Sequence, residues 1–278
     1  MKKLTIALLP LAVIATSFSA HAETSDGKTF GVSAGWLHIM PQGSKQGIDG
    51  TVPRLLNPTG VISSPNAGFE IANADTGAIL LDYFVNDNVS LELVAGVPPK
   101  MEIDGKGAIL QELGGKGVSL DALGKVGKVD AYTPVILGKY QFGTINSKFR
   151  PFVGAGLMYA HFSNFKLEGG VNQKLTAGVQ GTPVGSLVGA VAGNLSITDV
   201  KIDDAIAPVA TIGADYNITK DWFATASVTY AHLQTDASLN VQGDGAGVAL
   251  LGGNPIITGK TKIEINPIVT YVGVGYRF

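Results

Sequence analysis

Two carboxylates, Asp82 and Glu92, are the first residues that suggest chemistry, because paired carboxyl groups can act as general acid and general base. Basic residues occur at comparable positions, each within a few residues of a short turn or a chain terminus. Acids and bases at one level pair with each other, so we interpret the set as a structural network of ion pairs rather than a catalytic site. The set comprises Asp82, Glu92, Lys139, Arg150, Asp215 and Arg277.

Other sequence motifs for catalysis or for binding a cofactor or metal give only weak signals in this sequence. The two Gly-x-Gly pairs, at 154–156 and 273–275, lack a following helix pattern, so neither is a dinucleotide-binding loop. His38, His161 and His232 fall on segments that are not neighbours, which argues against one shared metal site. The sequence contains no complete P-loop motif G-x-x-x-x-G-K-[ST] and no HExxH motif. We therefore expect no cofactor, no metal and no enzymatic activity.

The composition narrows the class of protein. The 278-residue chain has no cysteine, 37 glycines, 45% hydrophobic residues and only 15% charged residues, and its formal net charge of −2 suggests no nucleic-acid partner. Residues 1–22 read as a secretory signal peptide, with two lysines, an apolar run over 4–14 and a small-residue cleavage site ending at Ala22. No later segment offers the ~20 uninterrupted apolar residues of a transmembrane helix. We expect residues 23–278 to form the mature domain.

Alternation of apolar and polar residues with a period of two predicts eight β-strands. In the last segment, apolar or aromatic side chains recur at nearly every second position from Ile268 to Phe278, and two glycines and Arg277 lie among the residues between them. A bulky apolar face opposite a narrow, more polar face is typical of a strand whose outer side contacts lipid. The eight segments cover residues 29–40, 76–84, 89–97, 131–142, 149–162, 205–216, 222–233 and 262–278.

The connections between these segments alternate between short and long, as in even-stranded outer-membrane barrels with short periplasmic turns and long extracellular loops. We therefore predict an all-β, eight-stranded antiparallel transmembrane β-barrel with long extracellular loops. It would lie in the lipid of the cell outer membrane, with both termini periplasmic. The long connections are rich in apolar residues and glycine, and form either flexible filler or an apolar collar around the mouth. The short connections are 86–88, 143–148 and 217–221, and the long ones are 41–75, 98–130, 163–204 and 234–261.

The inward positions predict a lumen with two layers. The ionisable set lies near the short turns, where opposite charges would pair across a narrow lumen and close it. The inward positions nearer the long loops are apolar, which predicts a dry pocket for an apolar ligand. The alternative is that an eight-stranded barrel has room only for its own side chains. The predicted lumen residues are Leu37, Ile39, Leu80, Val94, Val135, Met158, Val209, Leu233 and Val269.

Three prolines near the outer ends of descending strands, Pro134, Pro208 and Pro267, suggest a lateral seam. Each proline removes one hydrogen-bond donor from the strand ladder, which strands normally tolerate only at edges or bulges. An unpaired seam would open the lumen sideways into lipid. The alternative is a bulge that only adds curvature.

The stretch 148–156, Lys-Phe-Arg-Pro-Phe-Val-Gly-Ala-Gly, resembles the K-x-R-P-Y-V-G-A-G stretch of the OmpW family of outer-membrane proteins, which includes the AlkL-type alkane importers. The resemblance extends to 91–98, to 264–267 and to the last residues of the chain. It implies an eight-stranded barrel with a hydrophobic lumen that passes small apolar molecules and releases them laterally into the outer leaflet. This chain departs from the family in its longer loops. Tyr271, Gly273, Tyr276 and Phe278 also fit the C-terminal signal that the barrel-assembly machinery reads.

The sequence thus supports a hypothesis of passive uptake of small hydrophobic molecules through an outer-membrane channel. One rival is a structural or adhesive outer-membrane barrel that binds a surface partner through its long loops. A second rival is an ion-conducting pore. Uptake of a hydrophobic compound by cells with and without the protein discriminates between the channel and the adhesive barrel.

Overall fold

The computed structural model describes residues 22–43, 46–111 and 117–278. The predicted signal peptide, apart from Ala22, lies outside the described residues. No helix in these ranges is long and apolar enough to cross a membrane. The helices are α1 (Val171–Gln180), α2 (Gly185–Ala192) and a 3-10 helix at Val248–Leu251. In chain order the strands are β1 (Phe30–Met40), β2 (Ile48–Thr51), β3 (Val61–Ser64), β4 (Gly68–Ile71), β5 (Ala74–Phe84), β6 (Val89–Gly96), β7 (Lys100–Lys106), β8 (Ala108–Ile109), β9 (Val118–Ser119), β10 (Lys125–Tyr132), β11 (Val135–Gln141), β12 (Phe149–Leu167), β13 (Leu195–Ile202), β14 (Ala205–Asn217), β15 (Trp222–Ala231), β16 (Gln234–Gly243), β17 (Ile257–Glu264) and β18 (Ile268–Arg277).

Eight of these strands form a closed antiparallel barrel in the order β1-β5-β6-β11-β12-β14-β15-β18. The ring closes where β18 pairs with β1, from Gly31 opposite Arg277 to Met40 opposite Ile268. Closure leaves no open sheet edge, which a strand assembly surrounded by hydrocarbon requires because its backbone groups have no water to bond. The predicted eight-stranded barrel is confirmed.

Two of the predicted strands are each interrupted once. The segment predicted over 131–142 is divided at Thr133 and Pro134, between β10 and β11. The segment predicted over 262–278 is divided at 265–267, between β17 and β18. Each break contains a proline, Pro134 or Pro267, which lacks a backbone donor and restricts the preceding residue.

The outer face of the barrel is apolar and the inner face is not. On β18, Val272 and Val274 are 57% and 49% exposed, whereas Arg277 is 2% exposed. The outward Val228 on β15 is also exposed. Rows of exposed valine beside buried arginine reverse the arrangement of a water-soluble domain, and they match a wall that contacts lipid.

Inside the wall, aromatic side chains pack against glycines on neighbouring strands. Gly213 on β14 lies opposite Phe152 on β12, and a Cβ atom at Gly213 would come within 2.5 Å of Phe152 Cζ. Glycine is therefore the residue that leaves room for this ring.

The four long connections are not irregular loops, because they contain most of the remaining strands and both helices. A five-stranded sheet has the order β13-β16-β17-β2-β3, and β10, β7 and β4 extend the barrel sheet from β12. Strand pairing continues past the barrel: Tyr230 pairs with Ile268, and Gln234 pairs with Glu264 at the same offset. Apolar residues that suggested a collar or filler instead form a core between the helices and this sheet, including Leu175, Val188, Leu195 and Leu251. We call this part of the molecule the long-hairpin end, and the opposite part the short-turn end.

Candidate functional site

The short-turn end of the lumen contains a cluster of ion pairs centred on Lys139. Lys139 Nζ on β11 lies 2.7 Å from Asp82 Oδ1 on β5 and 2.6 Å from Glu92 Oε2 on β6. The three side chains are at most 6% exposed. The ammonium also lies 4.9 Å from the centre of the Phe152 ring. One base therefore holds two buried carboxylates together, which matches a structural network better than an acid–base catalytic pair.

A second cluster at the same end joins Asp215 and Arg277. Arg277 Nη2 lies 3.0 Å from Asp215 Oδ2, and Gln141 Nε2 donates a 2.7 Å hydrogen bond to the same oxygen. Arg277 Nη1 donates to Asn217 Oδ1 at 2.5 Å. The guanidinium also stacks 4.1 Å from the centre of the Phe223 ring. Together with the Lys139 cluster, these contacts form a layer of paired charges across the lumen, which we call the charge layer.

Arg150 lies in the same layer but has a different partner from the one expected. Its side chain is fully buried, and Nη2 donates to the backbone carbonyl of Asp87. Among the described residues, Nε and Nη1 have no hydrogen-bond partner. The expected pairing of Arg150 with a carboxylate is therefore wrong, because Asp215 is already bonded to Arg277 and Gln141.

The segment that precedes β1 is tied to two of the short turns. The Ser25 backbone N–H and hydroxyl donate to the Asp87 carboxylate at 2.6 and 2.9 Å. Lys28 Nζ lies 2.5 Å from Asp221 Oδ1, in the turn between β14 and β15. Thr24, next to Ser25, is buried. This segment adds a second cover at the short-turn end.

Above the charge layer the lumen contains a cavity of about 70 Å³, which we call the lumen cavity. Its walls are mainly aliphatic. Val209, a further predicted lumen residue, does not line the cavity but is buried in the same apolar cluster. The other predicted lumen residues all line it: Leu37, Ile39, Leu80, Val94, Val135, Met158, Leu233 and Val269.

Two groups of lining residues were missed by sequence reasoning. The first comes from the connection predicted over 98–130, which contributes Pro99 and Met101. The second is polar and lies at the lower end: Ser227, Thr229 and Tyr271. Period-two alternation does place the second group inward, but a search for apolar lumen residues passes over hydroxyls. In the first group, Met101 alternates with the charged Lys100 and Glu102, but Pro98 and Pro99 directly before it indicate a connection rather than a strand.

A second cavity of about 110 Å³ lies in the long-hairpin end, and we call it the upper cavity. Its lining is almost entirely apolar, with Phe69, Phe165 and Ile202 among the larger side chains. Strand β7 contributes Met101 to the lumen cavity and Ile103 to the upper cavity, and β10 and β12 contribute to both in the same way. The two cavities are therefore adjacent along the barrel.

The three prolines lie where barrel strands continue into the long hairpins. Pro134 and Pro267 stand in breaks between strands, whereas Pro208 lies within β14 opposite Leu157. Thr133 lines the lumen cavity, while its neighbour Pro134 is exposed on the outer face. The prolines lack donors, but their carbonyls accept hydrogen bonds of 3.0–3.1 Å from Tyr159, His232 and Ala231.

The three histidines near these breaks are separate from one another. His38 Nδ1 lies 2.8 Å from Asp75 Oδ1, and His161 Nδ1 lies 2.7 Å from Asp204 Oδ1. In the part of the chain that the structure describes, no group of three histidines, cysteines or acids is arranged to hold a metal ion.

Comparison with known proteins places this barrel in a family. The family model described as the OmpW family matches residues 29–192 and 177–278. Outer membrane protein W of Vibrio cholerae serotype O1 is 30% identical over 268 residues, which cover 96% of this chain and 97% of that protein. The chain belongs to the OmpW family. This OmpW-family protein is an integral β-barrel of the outer membrane of a Gram-negative cell, and its apolar outward rows contact lipid.

Three further similarities have lower sequence identity. Outer membrane protein AlkL of Ectopseudomonas oleovorans is 26% identical over 215 residues, covering 77% of this chain and 70% of AlkL. The crystal structure of OprG from Pseudomonas aeruginosa aligns with a TM-score of 0.64 at 20% identity, over 90% of this chain and 96% of OprG. The solid-state NMR structure of AlkL in DMPC bilayers aligns with a TM-score of 0.52 at 20% identity, over 94% and 93% of the two chains. These two structures share the fold of this OmpW-family barrel.

Proposed function

We propose that this protein is a passive outer-membrane channel that takes up small hydrophobic molecules and releases them laterally into the outer leaflet. The observation that carries the proposal is an apolar cavity directly above a layer of buried ion pairs, inside a wall that faces lipid. Transfer of apolar surface from water into such a site is favourable by about 25 cal/mol per Å². Transfer of an ion into this apolar cavity is not favoured in this way. The charge layer also separates the lumen cavity from the short turns.

In this proposal the short turns and both termini are periplasmic, and the long-hairpin end is extracellular, as in other outer-membrane barrels. Residues 1–22 are removed as a signal peptide. The barrel-assembly machinery reads the C-terminal strand through Tyr271, Gly273, Tyr276 and Phe278. The rings of Tyr276 and Phe278 stack with centres 6.5 Å apart, whereas Tyr271 is buried in the lumen.

A hydrophobic molecule first enters the upper cavity and then the lumen cavity. This order follows from the position of the two cavities, since β7, β10 and β12 line both. The charge layer and the segment at Ser25–Lys28 prevent straight passage into the periplasm. The molecule therefore has to leave through the wall.

We place the lateral exit at the break between β10 and β11. Thr133 lines the lumen cavity, and the next residue, Pro134, is exposed on the outer face. The wall between the cavity and the lipid is therefore only one strand thick at this break. The neighbouring strand is also interrupted, at Pro98 and Pro99 between β6 and β7. Two adjacent breaks leave fewer ladder hydrogen bonds to separate than a regular strand pair would.

Uptake of a hydrophobic compound by cells that produce matched variants tests the channel. Val94→Trp fills the lumen cavity from β6, while Ala95→Trp places the same ring on the exposed outer face of the same strand. We expect Val94→Trp to lower uptake to the level of cells without the protein and Ala95→Trp to leave it unchanged, at equal amounts of folded barrel. Equal uptake by cells with and without the protein would refute the channel and favour the adhesive barrel.

The exit has its own test. Thr133→Trp should slow release of a bound hydrophobic compound into lipid vesicles while the purified protein still binds it. Release at the wild-type rate would move the exit away from Pro134.

A further inference from the structure

The lower end of the lumen cavity carries hydroxyl groups that a hydrocarbon does not need. Ser227 and Thr229 on β15 and Tyr271 on β18 line the cavity directly above the charge layer. Ser227 lies opposite Tyr271 in the strand ladder. We call these three residues the hydroxyl shelf. Much of the remaining lining of the cavity, including Val94 and Val269, is aliphatic.

The hydroxyls of the shelf differ in how far they are satisfied. Tyr271 Oη and Ser33 Oγ are 3.1 Å apart and share one hydrogen bond. Thr229 Oγ1 donates to Thr211 Oγ1 at 2.9 Å and keeps its own lone pairs free. The Ser227 hydroxyl, half-buried in the cavity wall, has no hydrogen-bond partner among the residues that the structure describes. The shelf therefore offers one free donor and several free acceptor positions to a ligand.

The charge beneath the shelf selects among polar groups. Glu92 also lines the cavity, and its carboxylate already shares the ammonium of Lys139 with Asp82. A carboxylate placed on the shelf would be repelled by the Glu92 carboxylate and would lose its hydration. A neutral hydroxyl or carbonyl carries no such cost and can use the free hydroxyl of Ser227.

We propose that the hydroxyl shelf is a subsite for the neutral polar end of a mono-oxygenated hydrocarbon, such as a primary alcohol or ketone. The hydrocarbon tail extends upward along Val94 and Val269. This inference rests on the proposed function and narrows its substrate class, because it separates alcohols from alkanes and from carboxylates of the same length. A site built to hydrogen-bond a ligand hydroxyl discriminates against the analogue that lacks it, since its own polar groups are then left unpaired.

The test measures binding of hexane, 1-hexanol and hexanoate to the protein in lipid nanodiscs, with partitioning into protein-free nanodiscs subtracted. Wild-type protein should bind 1-hexanol at least about tenfold more tightly than hexane, a difference of about 1.4 kcal/mol, and should bind hexanoate least. The double variant Ser227→Ala with Thr229→Val should bind hexane as the wild type does and should lose most of the preference for 1-hexanol. Thr270→Val, which removes a hydroxyl from the outer face of β18, should keep the preference.

Three results would overturn the inference. If the double variant retains the preference for 1-hexanol, the hydroxyl shelf is not the cause of that preference. Equal binding of hexane and 1-hexanol by wild-type protein refutes the shelf but leaves the hydrophobic channel standing. Absence of binding of either compound beyond lipid partitioning refutes the channel itself, and the shelf with it.

Discussion

Lys139 is the residue on which the charge layer depends most, so Lys139→Met perturbs it most sharply. The ammonium contacts the Asp82 and Glu92 carboxylates at 2.7 and 2.6 Å, and none of the three side chains is more than 6% exposed. Methionine keeps much of the side-chain length but leaves two buried carboxylates without a counter-ion. Removing one partner of a buried ion pair costs about 3–5 kcal/mol. We expect the folding equilibrium constant to fall by roughly one hundredfold to several thousandfold.

Urea titration of the purified protein in lipid vesicles measures this loss, with Lys220→Met at an exposed turn position as the control. The triple variant Lys139→Met, Asp82→Asn and Glu92→Gln should recover much of the stability, because it buries no unpaired charge. A loss below about 1 kcal/mol for Lys139→Met, the size expected of an exposed pair, would refute the buried charge layer. Failure of the triple variant to improve on the single one would show that charge is not the cause.

Two further predictions concern other parts of the barrel. Gly213→Val should lower the free energy of unfolding by about 1–3 kcal/mol or more, because the new side chain overpacks against Phe152. Gly138→Val, on the open outer face, should be tolerated. Equal stability of the two variants in urea would contradict the packing of Phe152 against Gly213. In the long-hairpin end, Lys125 donates a hydrogen bond to Glu102 and holds the pKa of that carboxyl below its ordinary 4.5. Its stabilisation is present above about pH 4.5 and is lost as pH falls through the lower native pKa. Protection factors for hydrogen exchange in β7, which correct for the intrinsic slowing of exchange at low pH, should therefore fall on acidification in the wild type and less in Glu102→Gln; superimposable pH profiles of the protection factors would refute this.

The barrel itself could be predicted because hydrocarbon imposes strong constraints on sequence. The exposed valines of β18 and its buried Arg277 follow a period of two that a water-soluble strand would reverse. The same constraint places the charged side chains inside the barrel. Each of them lies within a few residues of a short turn or a chain terminus, which puts them at one height, so the charge layer was predictable. The aliphatic lining of the lumen cavity followed from the same alternation.

The pairing within the charge layer could not be predicted, because it depends on the stagger of the strands around the ring. Lys139 binds both Asp82 and Glu92, and Arg150 is left to a backbone carbonyl. The folded long-hairpin end was also missed. Its strands are short and interrupted by proline, and the small apolar residues of α2 suit a helix, a strand or a flexible loop equally well.

The most direct test of the central claim is to locate a small hydrocarbon in the protein by intermolecular nuclear Overhauser effects in lipid nanodiscs. The channel proposal predicts contacts from hexane to the methyl groups of Leu37, Val94 and Val269 inside the lumen. Contacts confined to Val272 and Val274 on the lipid-facing side of β18 would contradict it, because the hydrocarbon would then be dissolved in the bilayer and absent from the barrel.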